Sequence, residues 1–191
     1  MRRVLAAVLL LGACGAVQRS NVRPDYDAVD RTRIFRLVVL TAPLPGADPS
    51  VGTLWSLIAR RYVNQHRDFI VRRHVVAQTV STDACGEGDE GILRLLPAVS
   101  RRGGEVTASV VATLWRCSDR QTIWEAEARG AWPEHDPNVR ELTSRYVEEL
   151  GEGVGPYVPT TFHLLRETLD TLPRPKLVRD EDVMDKIELG E

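Results

Sequence analysis

Between residues 105 and 116 apolar and polar side chains alternate almost without a break, and no other stretch restricts the fold as much. Val106, Ala108, Val110, Ala112 and Leu114 fall on one face, whereas Thr107, Ser109, Thr113 and Trp115 fall on the other. That period of two belongs to a strand with one face buried and one wet. A second strand-like run covers residues 121–131, after the turn Cys117-Ser118-Asp119-Arg120. A tight reversal there pairs positions that sum to about 238. Leu114 then meets Trp124, Ala112 meets Ala126 and Val110 meets Ala128, while Thr113 meets Glu125 and Ser109 meets Arg129. Apolar partners land together and polar partners land together, so both faces support one register.

The strand before this pair spans residues 92–99, and Pro97 places its end at an edge or a bulge. A turn over residues 101–104 would pair positions that sum to about 204. Further upstream, residues 34–40 are β-branched and apolar, as a buried parallel strand requires. Pro43, Pro45 and Gly46 end that run; Asp48 or Ser50 can then cap a helix, with Pro49 tolerated in its first turn. Val51, Leu54, Trp55, Ile58 and Tyr62 form its apolar stripe, and Arg60, Arg61, Asn64 and Gln65 lie mostly opposite. Residues 69–77 return as a strand, which completes a βαβ unit.

Near the carboxyl end, Pro137 opens a helix with Val139, Leu142, Tyr146 and Leu150 on one stripe, stopped at Gly151. A Gly-rich linker through Pro156 leads to another helix, with Phe162, Leu165, Leu169 and Leu172 on its apolar face, before Pro173 and Pro175. The expected fold is α/β (α+β). It is a single mixed sheet of about five strands with helices on one face: a βαβ unit, a three-strand meander and two C-terminal helices over residues 32–172. Residues 14–31 are polar and aperiodic and read as a tether. Residues 173–191 are rich in Asp and Glu and read as a flexible acidic tail, with at most a transient helix in it.

The amino terminus speaks to location. Arg2 and Arg3 precede an apolar run, residues 4–11, too short for about 30 Å of hydrocarbon, which needs roughly 20 residues. Residues 1–13 therefore read as an export signal. Leu11-Gly12-Ala13-Cys14 has the form of a lipobox, which makes Cys14 the lipid-bearing amino terminus. One acyl chain holds a protein marginally and two or three hold it firmly, at about 0.8 kcal/mol per buried methylene. The competing reading is an ordinary cut between Gly15 and Ala16, which would leave a free secreted protein. Gly15 rather than Asp follows the cysteine, and by resemblance to sorted lipoproteins this implies the outer membrane in a two-membrane bacterium. The expected place is thus the cell envelope, on the periplasmic side of the export machinery and probed by palmitate labelling. Without Arg2 and Arg3 the chain keeps 23 basic against 27 acidic residues, net −4. Nucleic acid, which demands a concentrated basic face, is not an expected partner.

Cys85 and Cys117 remain, an even pair in an exported chain. The hairpin register brings them close, so a disulfide is expected, with typically 2–4 kcal/mol of stabilisation. A pair of metal ligands is the alternative, though no His or Cys pair stands nearby at zinc spacing. The chain has no G-x-S-x-G, P-loop or H-E-x-x-H, and no cofactor is expected. Glu134-His135-Asp136 reads as a helix lead-in, residues 85–91 as an exposed acidic loop, and Glu125 with Glu127 as a wet sheet face. His66, His74, His135 and His163 are scattered. Among the four tryptophans, Trp115 sits on the polar face near a turn and is the candidate partner-contact residue, against simple packing on Ile123.

The order of features resembles a group of envelope lipoproteins. Arg36-Leu37-Val38-Val39-Leu40 before Pro43 and Pro45, then the helix at 54–66, Phe69-Ile70-Val71-Arg72-Arg73, and the later strands with Thr122-Ile123-Trp124 carry the likeness. The layout is similar to the curli-secretion lipoprotein and to the amino-terminal domain of the Tol-system translocation protein. The whole chain looks like an uncharacterised bacterial lipoprotein family. The resemblance implies no catalytic residue, and the chain lacks long amphipathic hairpins from which to build a pore. The expected function is a lipid-anchored, non-enzymatic scaffold or adaptor with membrane and envelope-protein partners, its contacts made by a sheet edge, the 115–123 side or the acidic tail. The alternative is a small-ligand- or lipid-binding accessory of a transporter.

Overall fold

The computed structural model describes residues 16–77 and 84–190. Within them the chain runs β1 (Val17–Val22), α1 (Tyr26–Val29), β2 (Arg36–Thr41), α2 (Pro49–His66), β3 (Ile70–Val76), β4 (Gly91–Arg102), β5 (Glu105–Arg116), β6 (Thr122–Pro133), α3 (Arg140–Leu150), α4 (Val158–Leu169) and α5 (Asp180–Gly190). Short 3-10 turns at Pro137–Val139 and Glu152–Tyr157 lead into α3 and α4. The strands form one open sheet in the order β1-β6-β5-β4-β2-β3.

β2 is parallel to both β3 and β4, and Leu37, Val38, Val39 and Leu40 are buried on both faces, as its apolar sequence requires. A parallel return needs a long crossover, which α2 supplies. Asp48 caps α2 by accepting from the Ser50 backbone N–H at 2.9 Å, with Pro49 in the first turn. The β5–β6 ladder has the register read from the sequence: Leu114 opposite Trp124, Ala112 opposite Ala126, Val110 opposite Ala128. Pro97 sits where β4 becomes an edge, because pairing with β2 ends at Leu95. Leu54, Trp55, Leu93, Leu95, Trp124 and Leu165 fill the layer between sheet and helices, each 0% exposed.

Four expectations need correction. The sheet has six strands, not about five, because residues 17–22 pair with β6. They were legible only as tether: VQRSNV is almost wholly exposed, and its place comes from the ladder rather than from an apolar face. The rest of the expected tether is also folded, with Tyr26 and Asp30 buried and Asp30 paired to Arg116 at 2.7 Å. The expected flexible tail carries α5, whose Asp182 is fully buried. The β4–β5 pairing sums to 207, as in Ile92 opposite Trp115, not to about 204. The turn contains only Gly103 and Gly104, with φ of 63° and 82°, which suits the tight mirror-image hairpin turn.

Candidate functional site

Cys14 lies outside the described residues. Cys85 and Cys117 form the expected disulfide, with a Cα separation of 6.1 Å across 32 residues of chain. The bridge caps a small apolar cluster of Val38, Leu40 and Ile92 on the sheet face away from α2. Trp115 is half-buried on that same face, with the Arg94 guanidinium 5.0 Å over its ring. Arg94 therefore covers part of the expected contact residue.

The acidic groups picked out in the sequence are separated by the fold. Glu134 is buried and takes two hydrogen bonds from Arg101, both 2.7 Å, which hold its carboxyl below the usual range. Asp136 accepts from the Asn138 backbone N–H at 2.9 Å and meets His163 Nε2 at 2.8 Å; its carboxyl is lowered by both. Glu90 accepts from the backbone N–H groups of Phe35 and Arg36, at 2.8 and 2.9 Å, and so fixes the start of β2. Asp89 pairs with Arg73. Glu125 and Glu127 share the wet face with Asn21 and Arg19 of β1, the strand that the sequence concealed. Among the described residues, no group of three His, Cys, Asp or Glu side chains could hold a metal ion. No helix among them is long and apolar enough to cross a membrane.

The sequence allowed no more than a transient helix in the acidic tail, and the docked α5 was missed. Its inward positions are Asp182, Asp185, Lys186, Leu189 and Gly190, a helical stripe by spacing, yet three of the five are charged. Asp182 pairs with Arg36 and Arg179, and Asp185 pairs with Arg72. Lys186 Nζ donates to the carbonyls of Val63, Asn64 and Phe69 at 2.9, 2.5 and 2.8 Å. The first two belong to the last turn of α2, where the Val63 carbonyl also takes the capping Arg67 N–H at 3.0 Å. Burial pushes the Lys186 ammonium down to about 8. The opposite side of α5 presents Val183, Met184 and Ile187, which are 42%, 65% and 54% exposed. Asp182, Asp185 and Lys186 thus face the protein, whereas Val183, Met184 and Ile187 face the solvent beside the exposed Glu181 and Glu188. The alternation was visible in the sequence; which side turned inward was not.

Behind α5 a cleft opens between α2, β3 and α3, with Arg60, Arg61, His74, Arg145 and Glu149 around it. Arg61 pairs with Glu149 at 2.8 Å and lies over the Tyr146 ring at 5.2 Å.

No protein-family model matches the chain, and no curated protein matches it. Among solved structures it is similar to the PelC dodecamer from Paraburkholderia phytofirmans, with 17% identity, TM-score 0.44 and coverage of 72% of this chain and 94% of that one. It is also similar to the hypothetical protein CT253 from Chlamydia trachomatis, with 9% identity, TM-score 0.47 and coverage of 71% and 94%.

Proposed function

We propose that this protein is a lipid-anchored adaptor of the bacterial envelope, held to a membrane through Cys14 and engaging a protein partner with the outer side of α5, without a catalytic step of its own. The reversed polarity of α5 carries this reading. A helix that turns Asp182 and Lys186 inward and leaves Val183, Met184 and Ile187 in water gains little by standing alone; a partner surface would remove that apolar area from solvent. Asp180, Glu181 and Glu188 flank the stripe, so the matching surface is an apolar groove with a basic rim.

Geometry supports a division of labour between the two sheet edges. β1 begins three residues after Cys14, a reach of about 10 Å at most. An anchor there would hold the β1 edge close to the bilayer. α5 packs against β3, the opposite edge, five strand spacings or roughly 24 Å away. The Cys85–Cys117 disulfide suits an oxidising compartment outside the cytosol. The carrier alternative requires an apolar cavity between sheet and helices, and Leu54, Trp55, Leu93, Leu95 and Trp124 occupy that layer.

Two measurements test the proposal. Palmitate labelling is expected to disappear in Cys14→Ser, and retained label would remove the anchor. A photo-crosslinking residue in place of Met184 is expected to trap one protein in cells, whereas the same residue in place of exposed Gln18 does not. Equal trapping from both positions, or none from Met184, would remove the α5 contact.

A further inference from the structure

The cleft behind α5 has a volume of about 460 Å³, within the range of roughly 300–1,000 Å³ typical of small-molecule sites. Three guanidiniums, from Arg60, Arg61 and Arg145, meet one carboxylate, Glu149, which Arg61 already occupies. Arg60 makes one long contact, 3.4 Å from Nε to the Val71 carbonyl. Arg145 has no hydrogen bond or ion pair with any described residue. His74 Nδ1 is buried without a partner. Burial and the nearby Arg60 and Arg61 hold this imidazole below its ordinary pKa, so it lines the cleft without adding a cation. Local charge is positive in a chain whose formal net charge is −2. Like charges gathered around one space repel, and an oxyanion would relieve them; a guanidinium fork matches two oxygens of a carboxylate or phosphate. Leu57, Leu150 and Leu189 supply an apolar wall beside the guanidiniums.

We propose that this cleft is a binding site for a small organic oxyanion, its carboxylate or phosphate oxygens held by Arg60 and Arg145, with the His74 ring as part of the wall and its apolar part lying against Leu57, Leu150 and Leu189. Arg61 is a positioning residue: Glu149 and the Tyr146 ring fix it as one wall. The site is independent of the proposed partner contact, because these groups lie on the inner side of α5 and beyond it.

Calorimetric titration of the purified full chain with phenyl phosphate, inorganic phosphate, and vesicles of phosphatidylglycerol or phosphatidylcholine tests it. Saturable one-to-one binding of phenyl phosphate is expected, tighter than that of inorganic phosphate because the ring also meets the leucines. The double variant Arg60→Gln/Arg145→Gln is expected to weaken binding roughly ten- to hundredfold. Its thermal midpoint without anion should be unchanged or higher, since repulsion falls; a purely structural pair of arginines would lower it. Binding only to phosphatidylglycerol vesicles, lost in the double variant, would identify a lipid headgroup as the source of the same anionic chemistry. No saturable binding to any probe, or binding equal in the double variant, would overturn the site.

Discussion

Helices α4 and α5 both pack against α2, yet they do so by opposite means. α4 buries Val158, Leu164, Leu165 and Leu169, each 0% exposed. α5 buries the Asp182 carboxylate and turns Lys186 inward, while Met184 remains 65% exposed. Apolar burial is non-directional and grows with area, so α4 belongs to the part of the molecule that unfolds as a whole. Charged hydrogen bonds replace equally good bonds to water, so their net contribution is modest and their geometry strict. α5 is therefore held in a defined place with a small margin. That is a suitable property for a surface that must meet a partner in one orientation.

The largest expected effect lies on the α4 side. Leu165→Ala should cost about 2–5 kcal/mol of global stability, read from the denaturant midpoint. A loss below about 1 kcal/mol would break the contrast, because it would place α4 outside the cooperative core.

Asp182→Asn removes the charge from the pairs with Arg36 and Arg179, and is expected to cost about 1–3 kcal/mol, taken from α5 docking. Hydrogen exchange should quicken over Asp180–Gly190 while the amides of β5 keep their protection. Equal loss in β5 would make α5 part of the same folding unit as α4.

Smaller still is the effect of Met184→Asp with Ile187→Asp on the isolated protein. Both positions face solvent, so stability should stay within about 0.5 kcal/mol of the parent. Crosslinking from neighbouring α5 positions should nevertheless fall. A large stability loss would mean that this face already packs against something in the free protein.

The last expected effect concerns pH. Below about 8 Lys186 is protonated both in the fold and in the unfolded chain, and the cost of burying it is present in full. Above that value the folded form releases the proton while the unfolded chain, near the ordinary 10.5, keeps it. Stability should therefore rise between pH 8 and 9.5 relative to Lys186→Met, which has no such group. An identical pH profile for the two proteins would show that the amine is not buried in solution.

Local pattern was enough for elements whose contacts are apolar and near in sequence. The β5–β6 register followed from alternation on both sides of one short turn, and the cap of α2 was narrowed to Asp48 or Ser50, of which the fold uses Asp48. The Cys85–Cys117 pairing followed from an even cysteine count and a hairpin, although the hairpin's register was three positions off because the turn is only two glycines long. β1 was illegible because an edge strand is held by backbone bonds, which every sequence can make, and VQRSNV has no buried face to reveal it.

The candidate surfaces show the same division more sharply. The sequence by itself determined that residues 182–187 alternate charge and hydrocarbon, and that Arg60 and Arg61 stand together on a helix. Tertiary structure alone decided that the charged side of α5 faces inward, because Arg36, Arg72 and the carbonyls at the end of α2 lie more than 100 residues away in the chain. It also decided that Arg145 and His74 join Arg60 around one cleft. Hydrophobic periodicity assumes that apolar groups turn inward; where directional partners wait on the protein and none wait in solvent, charge turns inward instead.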